Sequence, residues 1–269
     1  MRADRAGWPV LVALAWTVLL FLMLPTLVAI PVSLTPERYL SLPKGGISFE
    51  HYAEFFGDPS WRGALGQSLA IGLAVTLLAT GIGTLAAVAL WRLSSWLAEG
   101  VRLLALAPMI VPPIVSALAF YRAWAGLGLL DTFTGVTIAH TLLALPYVLI
   151  TVSAALATVD LRQEQASRSL GASLWQTIRW VILPQITPGV ATGAVFAFIV
   201  SWDEIVVTLF IASRAVYTLP RKMWDGINEQ VDPTIAAAAT VLFLVTLVAI
   251  GWQIARQARR SALAARAEA

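Results

Sequence analysis

Six runs of this chain, approximately residues 10–32, 66–90, 103–121, 136–157, 188–212 and 235–255, are apolar over a length that can cross a bilayer, which takes roughly 20 residues. Lipid offers the backbone no hydrogen-bond partner, so a spanning segment must satisfy its own amides and carbonyls as a helix, or share them in a closed barrel. The runs are continuously apolar and lack the alternation of barrel strands. The expected fold is therefore all-α, a polytopic membrane protein with six transmembrane helices. What remains is short connections and one longer polar segment, 158–187, which leaves no room for a second soluble domain.

The chemistry open to such a chain is narrow. Charged residues make up 12% of the 269 positions and mean hydropathy is +0.80, and a soluble domain carries about twice that charged fraction. With no cysteine, a disulfide framework and thiolate metal ligation are excluded. His51 and His140 lack ligand spacing. No Gly-x4-Gly-Lys-Ser/Thr sequence occurs, so a phosphate-cradling loop of that type is absent. The net charge of +3 fits loops against anionic lipid better than a nucleic-acid surface.

Arg2 and Arg5 ahead of an apolar run look superficially like a secretory signal. The run is too long for one, and Val32-Ser33-Leu34-Thr35-Pro36 is no small-residue cleavage site, so a retained first span is expected. With the N-terminus inside, 11 of the 18 basic residues fall on the cytoplasmic side, while most acids fall outside. Both termini are then cytoplasmic, and segment 158–187 faces the same side. The first outer loop, 33–65, contains a short amphipathic helix over 47–56.

Small residues at Gly72, Gly81, Gly83, Gly189 and Gly193 mark close helix packing. Pro108, Pro112 and Pro113 kink the third span, and Pro146 lies in the fourth. Such breaks suit a solute pathway and ordinary bundle geometry equally. His140 reads as a neutral, hydrogen-bonded imidazole.

Segment 158–187 predicts two short helices, 161–169 and 173–182, with Gly171 at the bend and Pro184 and Pro188 stopping the second. On the second helix Leu174, Ile178, Val181 and Ile182 form an apolar side, while Gln176 and Arg179 point away. That side suits a groove on another protein or a lipid surface.

The fifth span carries Asp203 and Glu204, the costliest residues in the chain to place in hydrocarbon. Asp203 lies about 22 Å along the axis from Pro188 at about 1.5 Å per residue. Glu204 shares a helical face with Gly193, Ala197, Ser201 and Thr208, the small and polar stripe. It is expected to face the bundle interior, with Asp203 at its border or at a local break. An interior acid is a candidate for passing a cation, and Trp202, Trp124 and Tyr121 offer aromatic faces for an ammonium group.

Two sets of residues carry a resemblance. Gln165-Ala166-Ser167, Gly171 and Val181-Ile182-Leu183-Pro184 resemble the Glu-Ala-Ala-x3-Gly-x9-Ile-x-Leu-Pro loop of bacterial ABC-importer permeases, with Gln165 replacing the glutamate and Glu164 one place earlier. The stretches 201–210, 217–226 and 232–240 look like the second permease of spermidine/putrescine importers. The resemblance implies the type I ABC importer permease fold, with 1–65 as first helix and periplasmic loop, 66–257 as permease core and 258–269 as cytoplasmic tail. It implies that Glu164, Gln165, Ala166, Ser167, Gly171, Leu174, Ile178, Val181, Leu183 and Pro184 meet a separate ATPase dimer. That ATPase would hold ATP and Mg, and this chain would bind no cofactor and catalyse nothing. A second permease chain, a periplasmic solute-binding protein and the bacterial inner membrane complete the implied machine, with no nucleic acid. The substrate pathway would involve Glu204, Asp203, Ser201, Trp202, Tyr121 and Trp124. Permeases for iron, thiamine and other small solutes share the architecture, and a stand-alone secondary transporter using Asp203 and Glu204 is the rival from another class.

Overall fold

The computed structural model describes residues 8–93, 95–230 and 232–267, with the backbone alone for 229–230 and 260–267. Arg2 and Arg5 lie outside the described residues, as do the side chains of Glu229, Arg260 and Arg266. The described residues form helices and connecting loops with no strand among them, in two compact units, one of residues 63–222 and one of residues 1–62 with 223–269. Five helices are long and apolar enough to cross a membrane, or six when one bent pair counts as a single span.

In the larger unit, α3 (Pro59–Arg92, continuing from the other unit), α6 (Phe133–Leu156) and α9 (Leu183–Asp203) are the long members. Their close approach is written in glycine. A Cβ on Gly72 would stand 2.9 Å from the Phe198 ring, and one on Gly83 would stand 2.7 Å from Val148. Gly189 and Gly193 lie against Thr151, Ala155 and Val148 of α6, so bare backbone there lets α9 approach α6 closely. Gly81 has open space around it. Val75, Ala79, Val136, Ala144, Val148 and Ile186 lie in the buried core of this unit.

The third span is not one kinked helix over 103–121. It is α4 (Trp96–Ile110) and α5 (Pro113–Leu127), bent by 108°. Val111 takes an extended backbone with ψ 129°, and Pro112 follows at ψ 138°. The residue before a proline is pushed out of the helical region, and two successive prolines do this twice. Pro113 then begins α5, where its missing N–H costs nothing.

α7 (Leu161–Ser169) has the bounds expected from sequence, with Asp160 accepting from the Arg162 N–H at its start. At its end Gly171 adopts φ +88°, Gly171 N–H donates to Arg168 O and Ala172 N–H to Ser167 O, the paired bonds of a Schellman cap. α8 (Leu174–Thr177) starts on a capping box between Ser173 and Gln176.

The expected stop at Pro184 and Pro188 does not occur. α8 runs through a π-helical turn, Ile178–Ile182, directly into α9, giving 30 continuous helical residues from Leu174 to Asp203. Pro184 falls within the first two positions of α9, and the preceding wider turn redirects the backbone bonds, with Leu183 N–H reaching Ile178 O. The Gln185 amide donates to Val181 O at 2.7 Å, occupying a carbonyl next to the disturbed stretch.

In the smaller unit, α1 (Trp8–Ser33) packs on α12 (Thr234–Ala267), the helix that follows α11 (Leu219–Asp225) in the chain, and α2 (Glu50–Gly57) also lies on α12. α1 is apolar on every side, as a helix surrounded by hydrocarbon must be. The expected amphipathic helix is α2, whose His51 and Phe55 point inward while Phe56 is exposed.

Candidate functional site

The fifth span breaks where its acids lie. α9 ends at Asp203, Glu204 is extended with ψ 109°, and α10 (Val206–Ile211) follows. Glu204 Oε1 accepts the Val207 N–H at 2.8 Å, so the carboxylate helps to start the short helix beyond the break. A cavity of about 160 Å³ opens between this break and the α4–α5 bend, and Glu204 contributes to its wall with Pro108, Val111, Ser116, Tyr147 and Val207. The α4–α5 bend and the α9–α10 break therefore meet at one cavity. Irregular backbone at membrane depth persists only where protein or a wet cavity surrounds it.

The helical face assigned to Glu204 is the one the structure buries: Gly193, Ala197, Ser201 and Thr208 are all inward. Asp203 is exposed, in keeping with a border position at a break. A connection invisible in sequence holds the break together. His140 of α6 is 1% exposed, with Nδ1 3.0 Å from Ser201 Oγ and Nε2 3.0 Å from Thr208 Oγ1. The Thr208 hydroxyl donates to the Glu204 carbonyl at 3.1 Å. With that proton committed, Thr208 accepts from Nε2–H and the Ser201 hydroxyl donates to Nδ1. One imidazole thus ties α6 to both sides of the discontinuity, the hydrogen-bonded role read for it in the sequence. Thr208→Val keeps the shape and deletes the link; it should lower stability by about 1–2 kcal/mol, read as a shift of the thermal unfolding midpoint in detergent.

The aromatic candidates separate. Trp124 is buried, donates Nε1–H to Gly135 O at 2.9 Å and leans on Phe120, so its ring is committed to the join between α5 and α6. Trp202 is half-buried and stacked on Phe198. Tyr121 is exposed on α5. The cavity-facing aromatic is Tyr147, stacked near Phe196, which sequence reading passed over. Its place eight residues before Ala155 on the α6 face that meets α9 was the available signal.

The α7–α8 hairpin is a separate feature. Ser167 Oγ and Thr177 Oγ1 stand 3.1 Å apart and join its two arms. Glu164 is paired with Arg92 at the end of α3, with 12% of its side chain exposed, so that carboxylate is engaged inside the chain. Of the apolar side expected at 174–182, Ile182 is buried and Ile178 lies against the core, whereas Leu174 is exposed. Ile178 and Ile182 belong to the π-helical turn that leads into α9 and the core, whereas Leu174 opens α8 on the exposed hairpin. The outward apolar residues are Leu170, 89% exposed, with Leu174, Trp175 and Trp180. Gln165 and Ala166 are exposed, as are Leu183 and Pro184, and Gly171, Gln176 and Val181 line a shallow open concavity of about 370 Å³.

Comparison with known proteins gives this architecture its place. Residues 79–261 match the family described as binding-protein-dependent transport system inner membrane component. The spermidine/putrescine transport system permease protein PotC of Escherichia coli K12 is 30% identical over 230 residues, covering 86% of this chain and 87% of its own. The trehalose transport system permease protein SugB of Mycobacterium tuberculosis is 31% identical over 260 residues, covering 92% of this chain and 93% of its own. Among solved structures, a bacterial ABC transporter involved in the import of the acidic polysaccharide alginate superposes with a TM-score of 0.73 at 18% identity, over 96% of this chain and 98% of that one. The fold is that of a type I ABC importer permease, and the chain belongs to the family of inner-membrane components of binding-protein-dependent transport systems.

Proposed function

We propose that this chain is the translocation subunit for a small organic cation of the polyamine class, which it passes from a periplasmic binding protein to the cytoplasm. The observation that carries this reading is Glu204, a carboxylate at a helix break that lines a cavity shared with the α4–α5 bend. A negative charge kept at such depth against its desolvation cost favours a positive passenger. The relatives named for spermidine and putrescine transport support the same class. In this reading a second permease chain completes the pore, and a separate ATPase dimer supplies ATP, Mg and hydrolysis. The α7–α8 hairpin meets that ATPase through Leu170, Trp175 and Trp180, and both termini lie in the cytoplasm of a bacterial inner membrane.

Glu204→Gln tests it, because the amide oxygen still accepts from Val207 N–H while the charge is gone. In the complex assembled with its ATPase and binding protein, polyamine-stimulated ATP hydrolysis should fall about tenfold, the order of a lost charged contact, with the complex still co-purifying. Undiminished stimulation by putrescine in this variant would discard the acidic pathway. A neutral sugar is the second reading, favoured by the trehalose permease relative. Stimulation by trehalose and not by any polyamine would establish it.

A further inference from the structure

A cavity of about 610 Å³ lies in the smaller unit, far in sequence from Glu204, and is bounded by the loop after α1, by α2 and by the start of α12. Its wall holds three carboxylates, Glu50, Glu54 and Asp232, against one guanidinium, Arg38. Its size is that of a small-molecule site.

The decisive group is His51, which lines this cavity with only 7% of its side chain exposed. Its Nε2 stands 3.1 Å from the Glu37 carbonyl oxygen. A carbonyl only accepts, so Nε2 carries the proton, and Nδ1 of the neutral ring is a bare acceptor. Nδ1 has no hydrogen-bond partner. Its neighbour is another acceptor, Glu54 Oε2, 3.9 Å away. Glu54 Oε2 is itself held in place by the Thr234 hydroxyl at 2.9 Å, and Asp232 Oδ1 by the Thr234 N–H at 2.8 Å. With the ring neutral, two acceptors held in place face each other with no donor between them, beside two more carboxylates. What the arrangement lacks is a cationic N–H.

We propose that this cavity is a binding site for a primary ammonium group, in which His51 Nδ1 and the Glu54 carboxylate accept N–H bonds and Glu50 and Asp232 supply the surrounding negative charge. A metal ion fits less well. Among the described residues no three His, Cys, Asp or Glu side chains converge closely enough to hold one, whereas spread acceptors in a wide cavity suit a flexible diamine. The site rests on the reading of the cargo as an organic cation.

The experiment is equilibrium binding of radiolabelled putrescine to the purified importer complex in lipid nanodiscs, without binding protein. Wild type and Gly81→Ala, a substitution into open space, should both bind. Glu50→Gln/Glu54→Gln, which retains an oxygen for the Thr234 hydroxyl, should bind at least tenfold more weakly while still co-purifying with its ATPase. His51→Phe should weaken binding as well. Unchanged binding in the double variant, or saturable binding of calcium without putrescine, overturns the site. Putrescine that binds here but never stimulates ATP hydrolysis, where trehalose does, overturns the cargo reading and leaves the site standing.

Discussion

Asp131→Ala should be among the most damaging single substitutions in this chain, lowering stability by roughly 3–5 kcal/mol and cutting the yield of folded protein. Asp131 sits between α5 and α6, and its two carboxylate oxygens accept the N–H groups of Ser213, Arg214, Ala215 and Val216 at 2.7–3.2 Å. Its own N–H donates to Ile211 O at 2.7 Å. One side chain thereby organises the turn after α10, and removing it takes the acceptor from four N–H groups at once, that of the buried Val216 among them. The backbone adds to the loss, because Asp131 adopts φ +54°, which Asp and Asn tolerate and alanine resists. Asp131→Asn, with one acceptor oxygen and the same backbone tolerance, should lose about half as much. The comparison is read from thermal midpoints in detergent.

The same carboxylate predicts a pH dependence. Burial alone would raise its pKa, but the N–H bonds from Ala215, Arg214, Ser213 and Val216 prevail and lower it from 3.8 to about 2. A group whose folded pKa is depressed stabilises the fold fully above its unfolded pKa and loses that contribution as pH falls through the folded one. The gap in thermal midpoint between wild type and Asp131→Asn should therefore be constant above about pH 5 and narrow between about pH 4 and pH 2. A gap independent of pH across that window would contradict the charged anchor.

Gly189→Val should be comparably severe, about 3 kcal/mol, because its effect is to push two long helices apart. A Cβ at Gly189 would lie 2.5 Å from the Ala155 Cβ and 2.9 Å from the Thr151 carbonyl oxygen, and backbone cannot step aside as a flexible side chain can. α6 and α9 pack extensively on one another, so the separation would spread to the Ser201–His140 contact and to the cavity at Glu204. Gly81→Ala is the control. Nothing lies within 4 Å of a Cβ there, and alanine is the better helix former, so its midpoint should be unchanged or slightly higher. Equal losses in the two variants would show that helix propensity rather than close approach governs these positions.

What could be read from sequence was what depends on near neighbours. The limits of α7, the turn at Gly171 and the inward face of Glu204 all follow from caps and from the helical period within one segment. The bend at Val111–Pro112 was visible as a weak point, but not its 108°. Two prolines free the backbone without saying where it goes, and the packing of α5 against α6 and α10 decides that. The side chains that organise the site reach across the chain: His140 to partners 61 and 68 residues away, Asp131 to the turn at 213–216, Glu164 to Arg92. No periodicity encodes such pairs. The proline stop failed for a related reason, since a π-helical turn absorbs Pro184 at the level of a few hydrogen bonds.

That failure has a mechanical meaning. From Leu174 to Asp203 the chain is a shaft of 30 residues, about 45 Å long, with no slack of irregular backbone along it. Trp175 near one end and Ser201 near the other are fixed in angular phase, and each residue added or removed between them would turn one against the other by about 100°. A torque applied at the hairpin would meet its first interruption of helical backbone at Glu204.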